Sequence, residues 1–247
     1  MTTLYQFRFS HYCEKARWAL DYKGIVFDTR NLLPGLHIRT AKKLADDSCL
    51  PILVDQGSVI QDSTAIIDYL DRTYPQKPLT PSDPKQARRA LDWEEFADEK
   101  IGVPLRLWFY FHTLSDRRRA RDFLLQGSPW YGYVLFPLVF SRVRSAMCAG
   151  MNIHAVSAEQ AKQQFVAALD RLDQVVATQR FLVGDRFSRA DLSVCALLAP
   201  YCASGKTEQE TERAYPPAVY ALRMQHKERP FFEWVLENYR SLRIRQG

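Results

Sequence analysis

The stretch Ser10-His11-Tyr12-Cys13-Glu14-Lys15-Ala16-Arg17 runs a polar, reactive turn straight from a short apolar strand into a helix. The strand is Thr3-Leu4-Tyr5-Gln6-Phe7, and the helix extends to about Lys23. Backbone N–H groups at a helix start lack partners and carry partial positive charge, so this turn suits an anion, a thiolate above all. Ser10 offers a hydroxyl and Cys13 a thiol on the same first turn. Either group can do chemistry there, and Ser10 can equally be the helix cap.

Outward from that turn the chain reads as a small α/β unit. Gly24 ends the helix, and Ile25-Val26-Phe27 begins a second strand. A short helical pattern follows around residues 38–44. Leu50-Pro51-Ile52-Leu53-Val54 and Ser58-Val59-Ile60 are two further strands, joined by the hairpin-length turn Asp55-Gln56-Gly57. Asp62-Ser63 then opens a helix whose Ile66, Ile67 and Leu70 share one side. This order suits one domain over residues 1–75.

Pro75, Pro78 and Pro81 mark a stiff linker, drawn at residues 76–83. Asp83 caps a new helix with Pro84 in first place, and residues 84–247 read as wholly helical. The fold class is α/β plus all-α. Apolar residues recur with helical spacing at Leu91, Phe96 and Ile101, and again at Phe165, Leu169, Leu172 and Val176. Ser157-x-x-Gln160 and Ser188-x-x-Asp191 read as capping boxes, while Pro216-Pro217 and Pro230 open the last two helices. From Trp130 to Met151 the chain is aromatic and aliphatic until Arg142, which predicts a buried helix or one lining a ligand pocket. Cys195 and Cys202 fall on one helix face as core residues.

Composition is that of an ordinary soluble protein, with 47% hydrophobic and 25% charged residues. Arg8 interrupts the first apolar run and no later run reaches the ~18 residues of a spanning helix, so neither a secretory signal nor a span is expected. Five cysteines without a CxxC pair speak against a disulfide framework or zinc ribbon and for a reducing, cytoplasmic location. The formal charge is +6, and the positive residues are scattered apart from Arg117-Arg118-Arg119 with Arg121 and the tail Arg240, Arg243, Arg245. These clusters read as solvated helix faces, and no nucleic-acid motif accompanies them.

With these pieces in order, the whole chain resembles the cytosolic glutathione transferases, as a serine-type, bacterial-like member. Ser10-x-x-Cys13-x-Lys15-x-Arg17 resembles the family's catalytic turn, and Leu50-Pro51-Ile52-Leu53 its "Val-Pro-x-Leu", whose proline is cis. Gln61-Asp62-Ser63-Thr64-Ala65-Ile66 resembles the "Glu/Asp-Ser-x-Ala-Ile" that holds the γ-glutamyl group. The Ser188–Asp191 box resembles one in the family's helical core. The resemblance implies a thioredoxin-like N-terminal domain, an all-helical C-terminal domain and a homodimer.

It also implies roles. Ser10 donates to the glutathione sulfur, Leu50 pairs through its backbone with the tripeptide, and Pro51 shapes that contact. Asp62 and Ser63 take the γ-glutamyl end, and His37 the glycyl carboxylate; His11 reads as a surface residue. Cys13 is the alternative reactive group, although in cysteine-type relatives the reactive cysteine aligns with Ser10. Ser48-Cys49 stands where the family usually has a glycine. Tyr12, Trp108, Tyr110 and Phe111 are candidates for an apolar second-substrate pocket. The implied activity is conjugation of glutathione, as co-substrate and without metal, to a small apolar electrophile in detoxification. Glutathione-dependent thiol transfer, reduction or isomerisation at the same site is one alternative. A non-catalytic interaction or membrane-adaptor protein is the other, although no membrane contact is otherwise expected.

Overall fold

Thr3–Gln6 (β1) turns Leu4 and Gln6 to the interior and enters His11–Tyr22 (α1) through Ser10. The computed structural model describes residues 1–202, 205 and 207–243; Arg245 lies outside them. Asp28–Asn31 (β2) begins later than the sequence predicts. The Ile25 N–H is taken by the Leu20 carbonyl at 3.0 Å in the closing turn of α1, so Ile25–Phe27 stay out of the sheet. His37–Leu44 (α2), Ile52–Asp55 (β3), Ser58–Gln61 (β4) and Ser63–Thr73 (α3) complete the first half.

The sheet order is β2-β1-β3-β4, with β1 parallel to β2 and antiparallel to β3. Register decides what gathers at its edge. Tyr5 pairs with Ile52, Ile52 with Gln61, and Gln6 with Asn31. The residues just beyond each strand therefore emerge side by side: Phe7–Ser10, Leu50-Pro51, Asp62-Ser63 and the approach to His37.

The second half is helical throughout its described residues. Pro84–Phe96 (α4) is capped by the Asp83 carboxylate, runs through a π turn at Ala97–Gly102, and continues as Val103–Thr113 (α5). Arg117–Leu124 (α6) and Trp130–Gly150 (α7) follow. Ala155–Val176 (α8) then starts two residues before the predicted box. His154 is the cap, its Nδ1 accepting from the Ser157 N–H while the Ser157 hydroxyl accepts from the His154 N–H. Ser157 is thus the inner partner and not the cap. Arg189–Cys202 (α9), Glu208–Ala214 (α10), Pro217–His226 (α11) and Pro230–Leu242 (α12) close the chain.

Helix α9 is buried almost all round, as a central helix must be, with α1, α4 and α12 packed about it. Its start is fixed by Asp191, whose carboxylate accepts from the Ser188 N–H at 2.9 Å, the Ser188 hydroxyl at 3.0 Å and the Leu182 N–H at 2.8 Å. Burial pushes the Asp191 carboxyl up to about 6. Cys195 and Cys202 are core residues of this helix.

The halves are joined by a buried ion network. Lys15, fully buried on α1, meets Glu94 at 2.7 Å and Asp98 at 2.8 Å, and donates to the Thr64 hydroxyl at 3.0 Å. Glu94 also pairs with Arg189, which reaches Asp68 at 2.6 Å. Arg243, expected on a solvated face, is instead buried between Glu14 and Asp21, because the tail folds back over α1. Helix α7 corrects the sequence in the other direction. Only Gly132, Phe136 and Phe140 are buried, and the remaining aromatic and aliphatic residues of its first half are 38% to 79% exposed. It lies outside the α5–α8 packing and beside the β2–α2 connection.

Candidate functional site

At the gathered edge of the sheet, two helices begin within reach of one another. Ser10 is the N-cap of α1, and its Oγ accepts from the Cys13 N–H at 3.4 Å. A hydroxyl that accepts one bond still has a hydrogen to donate. Asp62 is the N-cap of α3, with Oδ1 accepting from Thr64 N–H at 2.8 Å and Ala65 N–H at 3.1 Å. Its φ of 88° is a conformation that costs a non-glycine residue ~1–3 kcal/mol. Strain of that kind persists where the surroundings require it, here between the Pro51 carbonyl, which accepts the Asp62 N–H at 3.2 Å, and the helix start. Leu50-Pro51 is a cis peptide, as the resemblance implied. Ser63 is buried at the first position of α3.

Cys13 is fully buried, and desolvation pushes its thiol above the ordinary range despite Arg17 and the Ser10 contact. Burial of this kind favours a packing role over the thiolate alternative at this position. His37 is half-buried, its Nδ1 accepts from the Gly35 N–H at 3.0 Å, and burial lowers its pKa from the ordinary value.

His11 is not on the surface. It is 6% exposed, set edge-on to Tyr12 at 4.7 Å, and its Nε2 has no hydrogen-bond partner. Burial, reinforced by Arg106, lowers its pKa to about 3. Arg106 of α5 is the residue sequence reasoning missed. It lies 5.6 Å from the Tyr12 ring centre and shares a small cavity with Ser10 and His11, yet makes no ion pair among the described residues. Nothing in the local sequence around Arg106 marks it; only the packing of α5 on α1 brings it there.

The cavity opens towards a cleft of about 1200 Å³ that Ser10 and His11 also line. Phe9, Phe109 and Phe123 form an aromatic wall on one side, and charged side chains such as Arg8, Arg17, Arg118 and Arg119 line the rest. Leu50, Pro51, Asp62, Ser63 and His37 do not line it, so the cleft lies on one side of Ser10 and the strand edge on the other. Of the four predicted second-substrate residues, Tyr110 alone borders the small cavity. Trp108 is core, beside Phe165, and Phe111 is half-buried away from both spaces. Tyr12 donates to the Asp98 carbonyl at 2.9 Å, an oxygen that also accepts the Val103 N–H at the end of the π turn. Gly102 permits that approach, since a Cβ there would sit 2.6 Å from the Tyr12 hydroxyl.

Residues 4–78 match the family described as "Glutathione S-transferase, N-terminal domain", and residues 136–230 that described as "Glutathione S-transferase, C-terminal domain". Glutathione S-transferase Z2 of Arabidopsis thaliana is 35% identical over 123 residues, covering 48% of this chain; the chain spans about half, 54%, of that relative's length. Among solved structures, a glutathione S-transferase from Xanthobacter autotrophicus superposes with a TM-score of 0.64 at 19% identity, over 99% of this chain and 96% of its own. A glutathione S-transferase from Methylobacterium radiotolerans, solved with glutathione sulfonate, does so with a TM-score of 0.59 at 20% identity, over 100% and 96%. At that identity the likeness is one of fold.

Proposed function

This chain belongs to the glutathione S-transferase family, with a thioredoxin-like N-terminal and an all-helical C-terminal domain, and from that premise we propose that it conjugates glutathione to a small apolar electrophile. The observation that carries the reading is the Ser10 hydroxyl, held at the α1 start and lining both the small cavity and the cleft.

Glutathione lies along the strand edge, its backbone paired with Leu50 beside Pro51. Its γ-glutamyl carboxylate is taken by the α3 start and Ser63, and its ammonium by the second oxygen of Asp62. The thiol loses its proton to solvent. Ser10 donates to the resulting thiolate, the α1 N-terminus adds its partial positive charge, and Arg106 a full one. An unassisted thiol has a pKa of about 8.5, and each unit of depression corresponds to about 1.4 kcal/mol. The thiolate attacks the electrophilic carbon, a carbon–sulfur bond forms, and the leaving group departs with its electron pair. Phe9, Phe109 and Phe123 seat the apolar electrophile. Trp108, Phe111 and Tyr12 have no part in this pocket. A homodimer belongs to the same proposal.

The test is retention on immobilised glutathione together with turnover of a chloronitrobenzene-type electrophile. Ser10→Ala is expected to lower kcat/KM about tenfold to a hundredfold, the cost of one oriented donor, while Cys13→Ala leaves turnover intact. Full activity in Ser10→Ala with loss in Cys13→Ala would point instead to thiol transfer or reduction. No glutathione binding at millimolar concentration would leave the non-catalytic reading.

A further inference from the structure

Between α5 and α8, which pack on one another, the chain leaves the helical bundle through α6 and α7. Helix α7 touches the rest of the molecule along a narrow stripe; at Gly132 the approach is so close that a Cβ would meet Leu33 at 2.7 Å. The opposite surface is apolar and open. Trp130 is 77% exposed and Leu138 79%, with Tyr131, Tyr133, Val134 and Leu135 between them. A soluble monomer rarely leaves a contiguous apolar surface of this kind bare.

Charge says what covers it. From Phe123 to Ala158 the sequence holds no Asp or Glu. Residues 117–150 carry six arginines against one aspartate, so this excursion holds +5 of the chain's formal +6. That aspartate, Asp122, is paired with Arg121 at 2.7 Å; on α6 Arg119 pairs with Asp116 at 3.4 Å and Arg117 donates to the Pro137 carbonyl at 2.8 Å, whereas Arg142 and Arg144 on α7 have no ion pair among the described residues. A second copy would meet this face through the same patch and bring two such positive surfaces together, which is unfavourable. An anionic lipid surface fits both properties. Leu138 and Val134 enter the acyl boundary, Trp130 and the tyrosines settle at headgroup level, and the arginines meet phosphates. No single helix among the described residues is long and apolar enough to cross a membrane; α7 and α8 together reach that length only as a pair bent by 61°, and α8 is packed on α5, so the contact is placed along the surface.

We propose that α7, with its Arg142 and Arg144, docks this protein on an anionic lipid bilayer. The inference is independent of glutathione chemistry, and its test does not use it. The full-length protein is floated with vesicles of phosphatidylcholine, alone or mixed with phosphatidylglycerol, while tryptophan emission is followed. Trp18, Trp93, Trp108 and Trp234 are buried, so a blue shift reports Trp130. Flotation and a blue shift are expected with the anionic vesicles only, falling at high salt. Leu138→Asp is expected to lower partitioning at least ~tenfold, and Arg142→Gln with Arg144→Gln about fivefold per charge. Circular dichroism of both variants should match the parent protein. Absence of flotation with anionic vesicles, equal flotation on phosphatidylcholine alone, or flotation indifferent to Leu138→Asp each overturns the proposal. So does a dimer that Leu138→Asp splits without any vesicle binding, which would assign the face to a second copy.

Discussion

Two cations flank the start of α1 and are held in opposite ways. Lys15 is fully buried and saturated by Glu94, Asp98 and Thr64. Arg106, half-buried across from the same helix turn, has the Tyr12 ring and no carboxylate among the described residues. The first arrangement joins two domains, because desolvated charge is tolerated only when paired and hydrogen-bonded. The second leaves charge available beside Ser10, where a ligand can complete it. Paired charge is architecture, and open charge is function.

The saturated side breaks hardest. Glu94→Ala removes the one carboxylate shared by Lys15 and Arg189 and leaves them Asp98 and Asp68, which costs ~3 kcal/mol and about 10 °C in Tm; a Tm within 2 °C (roughly 0.5–1 kcal/mol) of the parent would end the distinction. Asp62→Gly comes next and acts on function alone. Glycine accepts φ 88° and caps nearly as well, so Tm is expected to hold, while KM for glutathione rises about tenfold with loss of the ammonium partner. Arg106→Gln should lower kcat/KM about tenfold at neutral pH and displace the acid limb of the pH–rate profile upward by about one unit, with Tm little changed. Arg106→Lys should restore part of that displacement.

The smallest effect concerns His11. The folded state keeps it neutral down to about 3, whereas the unfolded chain takes up its proton near 6.5. Unfolding therefore gains a proton as pH falls through that window, and stability declines with it. His37, His112 and His226 are lowered in the same direction and share the slope. Urea midpoints between pH 7 and 5 should fall in the parent protein and fall less in His11→Asn.

The sheet edge was legible because its signals are local: a cap residue before a helix, Leu-Pro before a strand, Asp-Ser at a helix start. The α/β plus all-α order followed from periodicity and prolines. What escaped depends on which elements meet. Ile25–Phe27 has strand composition, but the closing turn of α1 claims the Ile25 N–H. His154 capped where Ser157 was expected, because a ring nitrogen can accept as a hydroxyl does. His11 and Cys13 are as polar or reactive in sequence as Ser10; only the packing of α5 and α9 on α1 shows that they are buried. Helix α7 has the composition of a core helix and lies on the outside, since nothing in its own residues states that α5 packs directly on α8.

The central claim, a thiolate stabilised at Ser10, is tested most directly by titrating glutathione bound to the protein through the ultraviolet absorbance of its thiolate. The expected result is a bound-thiol pKa about one to two units below the free value, returning most of the way in Ser10→Ala and part of the way in Arg106→Gln. A bound thiol that titrates as free glutathione does, or one whose depression survives Ser10→Ala unchanged, would contradict it.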